Sequence, residues 1–122
     1  MPPSTSSNPL YNMDPEVGGI KFDDASKRVW TFLPFDATEE VLRVLEYGAA
    51  KYSKANWTKG MDWTRPLNAA MRHQKAWLCG EDLDPESGIN HLAHAIASLM
   101  FALTFQLKGR GRDDRTDFTG GL

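Results

Sequence analysis

Apolar and polar positions divide the chain into three helical stretches between irregular ends. Leu42, Leu45 and Ala49 recur at helical spacing and predict a first helix over residues 38–52. Thr38 suits its cap, and Glu39 and Glu40 stand where the positive end of the helix dipole favours acids. Pro66 marks the start of a second helix, which runs to about residue 78. Its apolar stripe is Leu67, Ala70, Met71, Trp77 and Leu78, and Gly80 stops it. A third helix is predicted over residues 89–107. Ile89, Leu92, Ala93, Ile96, Leu99, Met100, Leu103 and Phe105 cover most of its circumference. A helix apolar nearly all round is central to a bundle or lies at a subunit interface.

Between and around these helices the pattern is irregular. Residues 20–34 carry Val29, Trp30, Phe32 and Leu33 with imperfect alternation, compatible with an extended segment, a short strand or a hairpin. Residues 1–19 are rich in Pro, Ser, Asn and Gly and read as a flexible arm. Residues 109–122 alternate Gly, Arg and Asp and read as a flexible tail, which leaves residues 20–108 as the folded domain. The expectation is an all-α fold: a small helical bundle with an extended N-terminal segment. Three helices make a thin bundle, so a homodimer or homotetramer is expected to complete it.

Composition narrows the function. A chain of 122 residues is one domain by length and can bury a core unaided. The formal charge of −2 argues against electrostatic binding of duplex nucleic acid. The longest apolar run, residues 95–105, is too short for a bilayer core of ~30 Å, so no membrane partner is expected. Residues 1–12 lack the pattern of a secretory signal. The single Cys79 permits no intrachain disulfide. These features together suggest a cytoplasmic location.

The candidate chemistry gathers on the second and third helices. His91 and His94 are three residues apart and share a helix face, which Ser98 extends. His73 stands between the small residues Ala69 and Ala76, which leave room beside it. An antiparallel connection would bring the three imidazoles together. The connector contributes Glu81, Asp82, Asp84 and Glu86, and Glu46 on the first helix is a further carboxylate. Imidazole with carboxylate suits Mn, Co, Fe, Ni or Zn, whereas carboxylate alone suits Mg. Asp84, followed by Pro85, reads equally well as a helix cap. In the segment 51–65, Lys51, Lys54, Lys59 and Arg65 alternate with Asn56, Trp57 and Trp63. Cations for a polyphosphate and an aromatic face for a base would make a nucleotide site there. Trp57 and Trp63 serve equally well as covers for the helix ends. No Walker A or Rossmann glycine pattern is present.

Particular residues carry a family resemblance. They are Val44-Leu45-Glu46-Tyr47-Gly48, Lys51-Tyr52, Asn56-Trp57, Lys59-Gly60-Met61 and Trp63. To these add Arg72-His73, the run from Gly80 to Gly88, and His91-Leu92-Ala93-His94-Ala95. Together they resemble the phage dATP/dGTP diphosphohydrolases of the MazZ type, which are similar to the all-α MazG-like nucleoside triphosphate pyrophosphohydrolases. The resemblance implies hydrolysis of a purine deoxynucleoside triphosphate to monophosphate and pyrophosphate with a divalent metal (Mn, Co or Mg). It also implies a role in phage infection, in the host cytoplasm: dGMP supply for 2-aminoadenine nucleotide synthesis, and removal of dATP. The expected metal ligands are Glu46, His73, Asp82, His91 and His94. Glu81 and Asp82 are expected to be catalytic, with Glu81 as base. Lys51, Asn56, Trp57, Lys59 and Arg72 are expected to bind substrate. The histidines stand where MazG-like enzymes carry carboxylates. An HD-type phosphohydrolase is disfavoured by the lack of a His-Asp dipeptide. A non-catalytic nucleotide-binding phage protein is the remaining alternative.

Overall fold

Three helices form where the periodicity predicts them: α1 (Phe35–Lys51), α2 (Thr64–Leu78) and α3 (His91–Lys108). The structure is a computed structural model and describes residues 27–51 and 60–116. The chain is all-α; among the described residues there is no strand, only two isolated bridges, Asp62 with Arg112 and Leu83 with Asn90. It divides into two units, Met1–Leu33 and Pro34–Leu122. In the first, Trp30–Phe32 form a single 3-10 turn with both aromatic rings exposed, so no strand forms over residues 27–33. No helix among the described residues is long and apolar enough to cross a membrane.

The helix ends differ from expectation for local reasons. α1 begins at Phe35 because the Pro34 carbonyl already accepts from the Thr38 N–H at 3.0 Å. Thr38 therefore lies inside the first turn, and its hydroxyl donates back to the same carbonyl instead of capping. α2 begins at Thr64, ahead of Pro66. A proline so near the start removes only an N–H that has no helical partner. α3 begins at His91, with Asn90 as its cap: Asn90 Oδ1 accepts from the Leu92 N–H at 2.8 Å. Its C-terminus closes on Gly109 in the left-handed conformation.

α3 packs against both other helices. At about 100° per residue, its buried positions fall on two faces. His91, Ala95 and Phe105 share one, and the bond from His91 to His73 turns it toward α2. Ala93 and Ala97 share the other and join Val41, Val44 and Ile89 in the core, with Leu45 and Tyr47 packed against it. Alanine at these positions lets the helix backbones approach closely. Phe105 is the largest fully buried side chain among the described residues.

The reading of residues 109–122 as a free tail needs correction over its first half. Residues 110–114 lie across the entrance to α2. The Trp63 indole donates to the Arg110 carbonyl at 2.7 Å, and the Trp63 N–H to the Arg112 carbonyl at 2.9 Å. The Asp114 carboxylate accepts from the Thr64 N–H and hydroxyl at 3.0 and 2.6 Å. A distant acid thus caps the positive end of α2 in place of a local side chain. These bonds from Thr64 outweigh burial and hold the Asp114 carboxyl below its usual range. Gly111 has a φ of 75°, and a Cβ there would run into the Met61 backbone. The crossing therefore requires glycine.

Chemical denaturation should rank these contacts. Phe105→Ala is expected to cost about 3–5 kcal/mol, and Asn90→Ala about 1 kcal/mol, with Asn90→Ser close to wild type. Asp114→Asn should lower the melting temperature at neutral pH. It should also weaken the fall in stability that accompanies acidification, because a carboxyl held low stabilises above its usual range and loses that contribution as it protonates.

Candidate metal centre

The antiparallel pairing of α2 and α3 brings all three histidines together. His73 Nδ1 lies 2.8 Å from His91 Nδ1. The His73 and His94 rings stack, with centroids 4.5 Å apart and planes 10° from parallel. His91 is 4% exposed, and its Nε2 lies 2.7 Å from Glu81 Oε1. A carboxylate only accepts, so His91 donates to Glu81 through Nε2–H, and in the neutral ring the Nδ1 facing His73 is then the lone pair. His73 Nδ1–H then donates into that lone pair. The connector is drawn into the same arrangement, because the His91 N–H donates to the Asp82 carbonyl at 2.9 Å.

Residues 84–88 complete the group. They form a turn closed by Gly88 N–H to the Asp84 carbonyl at 2.7 Å and by Ser87 N–H to Asp84 Oδ2 at 3.0 Å. Asp84 therefore organises this turn and does not cap α3, a role that falls to Asn90. Ser87 Oγ accepts from the Ile89 N–H at 3.1 Å and sits 2.7 Å from His94 Nε2. Tyr47 reaches the turn from α1: its hydroxyl donates to Glu86 Oε2 at 2.7 Å, and its ring meets His94 edge-on.

Electrostatics favour neutral imidazoles beside an ionised acid. Burial lowers the pKa of His73, and the neighbouring His94 and His91 lower it further. Burial likewise lowers that of His94, against the pull of Asp84. Burial of Asp84 acts to raise its pKa, but the bonds from Ser87 and the nearby histidines prevail and hold it below the usual range. Ligand atoms of His73, Asp84 and His91 all lie within 4.8 Å of one another. Two imidazole nitrogens and one carboxylate oxygen fit a divalent transition ion better than Mg. Glu81, bonded to the far nitrogen of His91, stands where the outer partner of a metal-binding histidine belongs.

The residues expected from the sequence divide into three groups. His73, His91, His94 and Glu81 are brought together. The carboxylates of Asp82 and Glu46 are exposed and are not part of the converging set, in which Asp84 supplies the oxygen. The reason is the turn: it points Asp84 inward, whereas Asp82 contributes its carbonyl. Arg72 is exposed on α2, near enough to His73 to help lower its pKa. The Lys51 side chain, Asn56, Trp57 and Lys59 lie outside the described residues. Spacing in the sequence assigns no role to Tyr47 or Ser87 and offers Glu86 only as one more connector carboxylate, although the Asp-Pro-Glu-Ser-Gly run is itself a turn signal.

A dATP/dGTP diphosphohydrolase of Salmonella phage PMBT28 is 40% identical over 97 residues, which cover 80% of this chain and 33% of that protein. The chain thus spans about a third of that relative's length. No solved structure matches it. The family described as dATP/dGTP diphosphohydrolase, N-terminal, matches residues 19–115, and the chain belongs to that family.

Proposed function

We propose that the chain hydrolyses dATP and dGTP to their monophosphates and pyrophosphate, with a divalent ion such as Mn or Co held by His73, His91 and Asp84. The convergence of those three side chains, with Glu81 behind His91, carries the reading. The name of the phage relative supplies the substrates. Such an ion, when bound, offsets phosphate charge and lowers the pKa of a water. The chain's own residues have distinct tasks. Glu81 fixes the tautomer and orientation of His91. The Asp84–Ser87 turn aims the carboxylate and positions His94. Arg72, exposed beside His73, offers positive charge to the triphosphate. Acting on both purines requires a site that does not discriminate a 6-amino from a 6-oxo group. In a phage-infected cell this activity would supply dGMP for 2-aminoadenine nucleotide synthesis and deplete dATP.

Product analysis tests the reaction. Incubation with dGTP or dATP and Mn or Co should release pyrophosphate, whereas triphosphate would indicate HD-type chemistry and no product a binding role. His91→Ala should reduce turnover to background; unchanged pyrophosphate release by that variant would sink the proposal. Glu81→Gln should weaken metal affinity about 10–100-fold, read by titration calorimetry, because an orienting partner is lost.

The metal-free protein should also show a histidine-dependent pH profile. His73 and His94 have their pKa values lowered in the fold, so the unfolded chain takes up protons first as the pH falls. Stability should therefore be greatest above the ordinary value of 6.5 and decline as the pH drops through it. Denaturation midpoints measured across this range should flatten in His94→Gln.

A further inference from the structure

We propose that His94 is not a metal ligand but a positioning residue, held out of coordination so that the site keeps open positions for substrate. The proposal rests on the reading that His73, His91 and Asp84 hold the ion, and it gives the third histidine a separate task. Residue type alone groups His94 with the other two. Its ring, however, lies flat against that of His73, with centroids 4.5 Å apart and planes 10° from parallel. An imidazole ligates through a lone pair in its ring plane, at about 2.0–2.1 Å for an ion such as Zn. An ion in the plane of His73 is therefore offset from the plane of His94 by the spacing of the stack, which an in-plane bond cannot close. The rings of His73 and His91 are instead tilted by 44°, and their Nδ1 atoms lie 2.8 Å apart, so lone pairs of these two can converge on one point. Among the described residues, the converging set is His73, Asp84 and His91, without His94.

The surroundings of His94 hold it in that orientation. Nε2 lies 2.7 Å from Ser87 Oγ and 3.8 Å from Asp84 Oδ2, beyond hydrogen-bond reach of the carboxylate. Ser87 Oγ is fixed in turn by the Ile89 N–H at 3.1 Å, and the Ser87 N–H holds Asp84 Oδ2 at 3.0 Å. The His94 side chain is only 12% exposed, and Tyr47 meets its ring edge-on from α1. What His94 supplies is a flat support. Glu81 orients His91 through the far nitrogen of that ring. Among the described residues His73 has no such carboxylate, and the stack on His94 sets its plane. Catalytic metal sites keep three protein ligands and an open position, whereas a fourth protein ligand closes the site. His94 thus orients a ligand without taking a position that water or triphosphate needs.

Titration calorimetry of the full chain with Co(II) separates a support from a ligand. His94→Phe keeps a flat ring against His73 and removes both nitrogens, so it should bind Co(II) within about tenfold of wild type. His94→Ala removes the support and should bind about 10–100-fold more weakly. His73→Ala removes a ligand and should abolish binding. Circular dichroism checks that each variant is folded. Nitrogen-15 NMR of the wild-type chain needs no substitution: diamagnetic Zn(II) should move ring nitrogens of His73 and His91 into the coordinated range and leave both nitrogens of His94 outside it. A coordination shift at His94 overturns the proposal, as does a folded His94→Phe variant that binds no better than His94→Ala. Binding that His73→Ala leaves unchanged overturns the metal reading beneath it, and the proposal with it.

Discussion

A histidine buried at the first turn of α3 has two ring nitrogens, and an unsatisfied one would cost about 1–3 kcal/mol. His91 meets this demand with Glu81 on one side and His73 on the other. The two bonds reach into different elements, one into the connector and one into α2. Together with the His91 N–H to the Asp82 carbonyl, they fix where the connector leaves α2 and where α3 begins. The same pair of bonds defines the chemistry, because it decides which His91 nitrogen is a lone pair and where it points. Structural necessity and the candidate metal centre thus rest on one side chain.

Around that anchor, α3 works as a helix with three faces. Small residues, Ala93 and Ala97, face the α1 core, while His91, Ala95 and Phe105 occupy the α2 side. The large aliphatic residues Leu92, Ile96, Leu99 and Leu103 are the ones left outside. This inverts the usual placement, in which bulk is buried and small residues are exposed. Close helix approach explains why alanine serves inside. Among the described residues the bulk outside has no such use.

The parts of this architecture legible in the sequence are those carried by period and residue type. Three helices follow from apolar spacing, and the histidine cluster follows from placing His73 and His91 on antiparallel neighbours. Helix starts were less legible, because caps came from unexpected places. The Pro34 carbonyl displaced Thr38, and Asp114, fifty residues away, capped Thr64. The tail looked free for the same reason, since its low apolar content says nothing about backbone and carboxylate bonds. The choice of Asp84 over Asp82 turns on which side chain a tight turn points inward. Spacing along a loop does not encode that direction.

The turn has a further consequence through Tyr47. This residue packs on the α1–α3 core, meets the His94 ring edge-on and donates to Glu86 within the turn. Glu86 is two residues from Asp84, and Ser87 bonds both Asp84 and, at 2.7 Å, His94. α1 is therefore connected to the carboxylate and imidazole of the site through the Tyr47 side chain, although Glu46 on the same helix is exposed. The first helix matters to the site by buttressing the turn that aims Asp84. The turn's own bonds aim the Asp84 carboxylate, and α1, packed on the small alanine face of α3, adds the Tyr47–Glu86 bond that braces the turn from outside.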